Sequence, residues 1–140
     1  MVLLRQTADG IRSLFEARSA VDQMTANMVM TLGRRPSPAE ARSWNASIPT
    51  LMSDLIAVGL GNVQVLLEFK LPLTSKRADV VLAGLHPRTK APSYVIIELK
   101  QWSSMEALDE DCALVLVPGY GERSVLDPLV QVTDYRNYLL

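Results

Sequence analysis

The sequence predicts an α/β chain of the α+β sandwich kind: a central mixed β-sheet flanked by helices, with helices leading the chain. Three observations predict it. Apolar residues recur at helical spacing through residues 7–32 and again beyond Ser37. Three short apolar runs, 63–69, 76–84 and 93–99, then follow one another, separated by Leu71-Pro72 and by the turn-rich stretch from His86 to Pro92. A fourth run, ALVLV (113–117), and a helical segment from Asp127 to Leu140 close the chain. Helices, consecutive strands and a closing helix in that order pack as layers around one sheet.

Taken in order, Ile11, Leu14, Phe15, Val21, Met24 and Met28 mark the core face of two helices within 7–32, with Met30 grouped among the core methionines. GRRPSP (33–38) is a break. Ser37 followed by Glu40 is a capping box, and Pro38 suits the first helical position. The helix through Trp44 is expected to end or kink at Pro49, and a second run, Thr50 to Leu60, to stop at Gly59 and Gly61. YVIIELKQW (94–102) reads as a buried strand. Val95, Ile97 and Leu99 take one face; Tyr94, Ile96, Glu98 and Lys100 take the other. Residues 103–111, polar and acidic, read as loop; Pro118 and Gly119 end the fourth strand, and Pro128 suits the first turn of the last helix.

Composition sets the bounds. At 140 residues, 49% hydrophobic and 21% charged, the chain has the material for one domain with one core, residues 1–32 forming a helical extension within it. The single cysteine, Cys112, excludes an internal disulfide and suits a reducing cytoplasm. No apolar run reaches the roughly 20 residues that span a bilayer, and no signal peptide is legible, so a cytoplasmic chain without membrane contact is expected. The net charge of −1 gives no overall pull toward nucleic acid. Charge is local instead. Between residues 70 and 100, Lys70, Lys76, Arg77, Arg88, Lys90 and Lys100 face only Asp79 and Glu98. That is either a phosphate-contacting rim or a set of solvated lysines and arginines.

The chemistry concentrates where the third strand ends. Glu98 and Lys100, two apart, emerge together on one face, and Asp79 on the preceding strand lies within reach of the same ion if the two strands pair. Two carboxylates and a backbone carbonyl, that of Leu99, suit a hard cation such as Mg²⁺ or Mn²⁺. Such an ion lowers the pKa of bound water and neutralises charge growing on a phosphate, and a lysine beside it stabilises the transition state. The residues therefore fit metal-dependent hydrolysis of phosphodiesters. A Glu-x-Lys pair alone is a weak signal, since surface strands often pair opposite charges two apart.

Asp79 followed by Glu98-Leu99-Lys100 resembles the PD-(D/E)xK nuclease superfamily, with Ala78 where its proline usually stands. Gln131-Val-Thr-Asp-Tyr135 resembles the Q-x-x-x-Y helix of its RecB-like members. GRRPSPAEARSWNASIP, LEFKLPLTSKRADVVLAG and VIIELKQW resemble more narrowly the N-terminal nuclease-like domain of uncharacterised P-loop helicase-like proteins. The resemblance runs from Gly33 to Tyr138 and implies a restriction-endonuclease-like core. It implies that Asp79 and Glu98 hold the metal, that Lys100 is the catalytic lysine, and that Gln131 and Tyr135 support the site or touch the substrate. Glu40 is the first candidate for a further acid, although capping Ser37 already accounts for it; Glu68, a strand-edge or supporting residue otherwise, is the second. Gln101 is a possible site contact on the opposite face from Lys100, and Lys76 and Arg77 stand on the substrate side. The implied partners are nucleic acid, DNA before RNA, and a C-terminal helicase or ATPase domain. The apolar end at Tyr138-Leu140 fits the N-terminal part of a longer polypeptide.

Other residues have plainer readings. His86 and Cys112 lack metal-ligand spacing, and His86 beside Pro87 reads as a turn residue. Trp44 and Trp102 either stack on bases or pack in the core. Gly119-Tyr-Gly121 is too short for a phosphate loop, and no nucleotide-binding motif occurs. Two alternatives to an active nuclease stand: a catalytically inactive nuclease fold that binds nucleic acid, and a partner-docking module.

Overall fold

The structure, a computed structural model, describes residues 1–107, 114–118 and 124–140. Cys112 and Gly119–Gly121 lie outside the described residues. In chain order the elements are β1 (Leu4–Thr7), α1 (Ala8–Glu16), α2 (Ala20–Leu32), α3 (Pro38–Ala57), β2 (Gln64–Lys70), β3 (Arg77–Leu85), β4 (Pro92–Ile97), β5 (Glu106–Ala107), β6 (Leu114–Leu116), β7 (Ser124–Leu126) and α4 (Pro128–Leu139). The class is α+β. The central sheet runs β1-β2-β3-β4 and is antiparallel at every described pairing, where a mixed sheet was expected. The run at 113–117 does not join it. Leu114–Leu116 pairs instead with β5 and β7 in a small second sheet, and β5 lies inside the segment expected to be loop.

Local chemistry explains most of the elements. Thr7 caps α1 by accepting from the Gly10 amide, and Gly33, at φ 69, ends α2 in the left-handed region that a side chain disfavours. Ser37 and Glu40 form the full capping box of α3, and Asp127 caps α4 ahead of Pro128. Met24 and Met28 are wholly buried, but Met30 is 84% exposed, because two residues turn it to the opposite side of α2.

Pro49 neither ends α3 nor divides it: the helix continues to Ala57. Proline removes one helical hydrogen bond and crowds the carbonyl four residues back. That cost is met by packing, since Trp44, Ile48, Met52 and Leu55 carry one buried stripe across the break, and the Thr50 hydroxyl donates to the Ala46 carbonyl at 3.3 Å. Pro49→Ala should therefore stabilise the fold, by about 1–3 kcal/mol. Urea titration checks it; an unchanged or lower midpoint would contradict it.

The helices α1–α3 cover one side of the sheet over Leu3, Ile11, Met24, Met28, Trp44, Met52, Val65, Leu67 and Val80. A second, smaller cluster of Leu71, Ala78, Val81 and Tyr135, with Leu66, Phe69, Ile96 and Leu139 against it, seats α4 on the other side. The strand expected to be buried, β4, is an edge strand. Its first four residues are exposed, Pro92 opens it, and only Ile96 and Ile97 are half-buried. Its apolar sequence belongs to the end that meets β3 and α4, where the chain leaves the sheet at Glu98. The alternation read for that end holds: Ile97 and Leu99 pack toward the helical cluster and Ile96 toward α4.

Candidate active site

β2, β3 and the end of β4 line three carboxylates up across the sheet. Leu67 pairs with Val80 and Phe69 with Ala78, so Glu68 falls opposite Asp79. Val80 pairs with Ile97, and one further step sets Asp79 beside Glu98. Glu68 takes up φ 53, a left-handed backbone that costs a non-glycine residue about 1–2 kcal/mol. The result is a change of face. Leu66 and Phe69, three residues apart, both pack toward α4, while Glu68 turns to the helical side and accepts from the Trp44 indole at 2.9 Å. Regular alternation would have sent it the other way.

With Asp79 and Glu98, Glu68 and Glu40 line a cavity of about 340 Å³, completed by Ser43, Trp44, Ser75, Arg77, Leu99 and Lys100. The Asp79 carboxylate is fixed by the Leu99 amide, which donates to its Oδ2 at 2.8 Å. Glu98 Oε1 accepts from Lys100 Nζ at 2.7 Å and from Gln131 Nε2 at 2.6 Å. Lys100 also donates to Gln131 Oε1 at 3.1 Å, and the Gln131 amide donates to the Tyr135 hydroxyl at 2.6 Å. Gln131 and Tyr135 lie one turn apart on α4, so both reach the same place. Asp79, Glu98, Lys100, Gln131 and Tyr135 are thus brought together as expected. The other oxygen of Glu98, Oε2, is buried with no hydrogen-bond partner.

Glu40 is differently placed. Its carboxylate meets both Arg34 nitrogens at 3.0 Å, Arg77 Nη2 at 2.8 Å and the Ser37 amide at 2.8 Å. Both oxygens are engaged, so Glu40 stands at the cavity as an anchor for arginine and for the α3 cap. Glu68 is nearer the acids but gives Oε1 to Trp44 and has Oε2 3.1 Å from Arg77 Nη1. That Arg77 nitrogen is close enough for an ion pair, yet its N–H groups are not aimed for a hydrogen bond, and it counts with Glu98 Oε2 as buried and unpartnered. Gln101, beyond the end of β4, turns away from the acid cavity, and its amide donates to the Ser47 hydroxyl at 3.1 Å and the Ser43 carbonyl at 3.4 Å. Lys76 lies over the Tyr138 ring, 5.8 Å from its centre.

Of the two readings of the basic residues between 70 and 100, a continuous rim is not what the structure forms. Arg88 and Lys90 sit on the β3–β4 turn, six or more strand residues and so about 20 Å from Asp79. His86 takes its turn role there, its Nδ1 accepting from the Arg88 and Thr89 amides. Sequence reasoning missed Arg34 as the partner of Glu40 and Trp44 as a donor to Glu68. The spacing of four between Glu40 and Trp44 on α3 was the available signal.

Burial pushes Asp79, Glu98 and Glu68 above the ordinary carboxylate range, and the Asp79 charge raises Glu98 further. Arginine contact, from Arg34 first, holds Glu40 down at about 2. A raised carboxyl favours the fold while protonated, so this contribution is complete below the unfolded value and is lost as pH rises through the folded one. Glu40 has the opposite sign: its contribution is present above its ordinary value of 4.5 and is lost as pH falls toward about 2. Without metal, the domain should gain stability as pH drops from 8 toward 4.5 and lose it below that. Thermal melts in EDTA across that range check this; a midpoint that climbs steadily from pH 5 to 8 would contradict it.

Asp79 and Glu98 fit a divalent cation. Two carboxylates stand side by side in a half-buried cavity with the Lys100 ammonium on one Glu98 oxygen only, and Glu98 Oε2 lacks a partner. Among the described residues no group of three or more His, Cys, Asp or Glu side chains gathers closely enough to hold a metal by itself, so two carboxylates and a main-chain oxygen are the set on offer. Among the described residues no helix is long and apolar enough to cross a membrane. No protein-family model, curated protein or solved structure matches the chain.

Proposed function

We propose that the chain is a metal-dependent nuclease domain of PD-(D/E)xK type with a restriction-endonuclease-like core. It hydrolyses phosphodiester bonds of nucleic acid, DNA before RNA, and works beside a helicase or ATPase domain. The observation that carries the reading is the Glu98–Lys100–Gln131 triangle next to Asp79. It holds one Glu98 oxygen and leaves the other buried and free to take a cation.

Asp79, Glu98 Oε2 and the Leu99 carbonyl would hold Mg²⁺ or Mn²⁺. When bound, the ion supplies an acidified water and positive charge for the phosphate. The chain's own residues do the rest. The Leu99 amide keeps Asp79 from rotating out of the cavity. Gln131, tied to Tyr135, fixes both Glu98 and Lys100. Lys100 has three N–H donors, and two are engaged by Glu98 and Gln131. The third is available to a phosphate oxygen or to the attacking water. A helicase partner rests on the sequence resemblance alone.

Cleavage of single- and double-stranded DNA in Mn²⁺, abolished by EDTA, is the test. Absence of cleavage on every DNA and RNA tried, with either metal, sinks the reading. The ion pair between Lys100 and Glu98 favours a second reading, a nuclease fold that binds nucleic acid or docks a partner without cutting, because it ties the lysine to the ligand it would work beside. Retained DNA binding without metal uptake at Asp79 and Glu98 would select it.

A further inference from the structure

A second groove opens beside the acid cavity and shares Ser43, Leu99 and Lys100 with it. It has a volume of about 340 Å³, and Gln101, Trp102, Val125, Leu126 and Gln131 complete its lining. Its character differs from that of the acid cavity. Here an aromatic ring and three aliphatic side chains stand among amides and a hydroxyl, whereas four carboxylates dominate next door. Trp102 is half-buried, and Lys100 Nζ lies 5.6 Å from the centre of its ring. The same ammonium donates to Glu98 and Gln131. One cation therefore stands at the boundary of both spaces, binding carboxylate on one side and an aromatic face on the other. Trp44, by contrast, is buried and spends its N–H on Glu68.

We infer that this groove is a base-stacking subsite, and that it takes the nucleobase next to the phosphate held in the acid cavity, from a single strand. The inference rests on the nuclease reading for its choice of ligand, while the groove itself would bind a strand whether or not the chain cuts. The ligand must reach Lys100 with an anionic group and present a flat, partly polar ring to Trp102, Val125 and Leu126. A nucleotide has both parts joined at the required short range. The N–H groups of Gln101 and Gln131 are spent on protein acceptors, so their amide oxygens offer acceptors and the Ser43 hydroxyl a donor or acceptor at the ring edge, and every base carries an edge N–H to meet them. Every base has a π face, which makes such a platform tolerant of sequence. A paired base is already stacked and hydrogen-bonded on its own edge, so the subsite selects unpaired ends and single strands.

Binding of a fluorescein-labelled oligothymidylate to the full chain, measured by anisotropy in EDTA and again in Ca²⁺, tests the inference together with tryptophan emission. The strand should quench emission in the native chain and in Trp102→Phe only weakly, since Trp44 is shielded. Trp102→Ala should weaken binding about tenfold, and Trp102→Phe, which keeps an aromatic face, should restore most of it. Duplex of the same length should bind more weakly and quench little. Equal affinity of Trp102→Ala and the native chain, or quenching unchanged in Trp102→Phe, overturns the inference. Circular dichroism of both variants guards against misfolding, and Trp102→Phe is the milder change if Trp102→Ala does not fold. If the chain never cleaves but this pattern holds, the nuclease reading has failed and the subsite has not. If it cleaves and the pattern is absent, the reverse is true.

Discussion

Lys100→Ala should lower the rate of metal-dependent DNA cleavage by about a thousandfold while leaving the fold in place. A positioned donor or proton-transfer group is worth about 10²–10⁴ in rate. Among the described residues, Lys100 is the one ammonium at the acid cavity, 2.7 Å from Glu98. Its side chain is 28% exposed and anchors no core residue, so its removal opens no cavity. Gln131 continues to hold Glu98, and the pair proposed to ligate the metal stays assembled. The loss should therefore fall mainly on turnover, beyond the smaller drop in strand affinity that goes with losing one phosphate contact. Single-turnover rates on an end-labelled oligonucleotide in Mn²⁺ measure it, with a thermal melt as control. Rates within threefold of the native chain would remove Lys100 from catalysis. Glu98→Gln should match the loss for a different reason, because it removes a metal ligand, and calorimetric titration with Mn²⁺ should then show weakened uptake that Lys100→Ala does not.

Arg77→Met should destabilise the domain by about 3–5 kcal/mol, the usual cost of removing one partner of a buried ion pair. Arg77 is the cation that faces Glu68, which is only 8% exposed, and it also holds Glu40 at 2.8 Å. Glu40 keeps Arg34 after the change; Glu68 keeps only a neutral indole. Desolvation already raises Glu68 above the carboxylate range, and without Arg77 it would ionise less readily still. A companion Glu68→Gln should recover most of the loss, since the amide can still accept from Trp44 and carries no charge. Chemical denaturation of the four chains of this double-mutant cycle measures the coupling. A penalty below 1 kcal/mol, or no recovery in the double variant, would show that Arg77 is not what permits Glu68 to be buried.

The sequence made the local devices readable and left the long-range ones hidden. The capping box at Ser37, the break at Gly33 and the proline opening α4 each depend on a few neighbouring residues, and each stands where its motif placed it. The strands β2 and β3 were legible because their apolar residues run on unbroken. Pro49 misled because one residue's propensity was outweighed by the buried stripe from Trp44 to Leu55. β1, with Leu4 as its one apolar residue and Arg5, Gln6 and Thr7 after it, carries no pattern of its own and is a strand because β2 offers it an edge. β4 looked buried because an edge strand with an apolar inner end has the same letters as a central one.

The site divides in the same way. Asp79, Glu98, Lys100, Gln131 and Tyr135 were legible as a set because their motifs name residue types at fixed spacing. Glu68 was not readily ranked, because its place depends on a positive φ that no spacing announces. Glu40 looked available because its other partners, Arg34 and Arg77, lie six and 37 residues away and meet it only in the folded chain.

The two apolar clusters on opposite faces of the sheet bear on how the molecule opens. The larger one binds α1–α3 to the sheet and shares none of its buried residues with the one beneath α4. Separate clusters make separate cooperative units, with opening free energies of their own. α4 is held by Tyr135 and Leu139 over Val81, Phe69 and Ile96, so it can detach while the helical layer stays native. Gln131 leaves with it, and Glu98 and Lys100 then lose their common tether. The candidate site is thus tied to a peripheral foldon, and the amides of α4 should exchange hydrogen before those of α2 and α3.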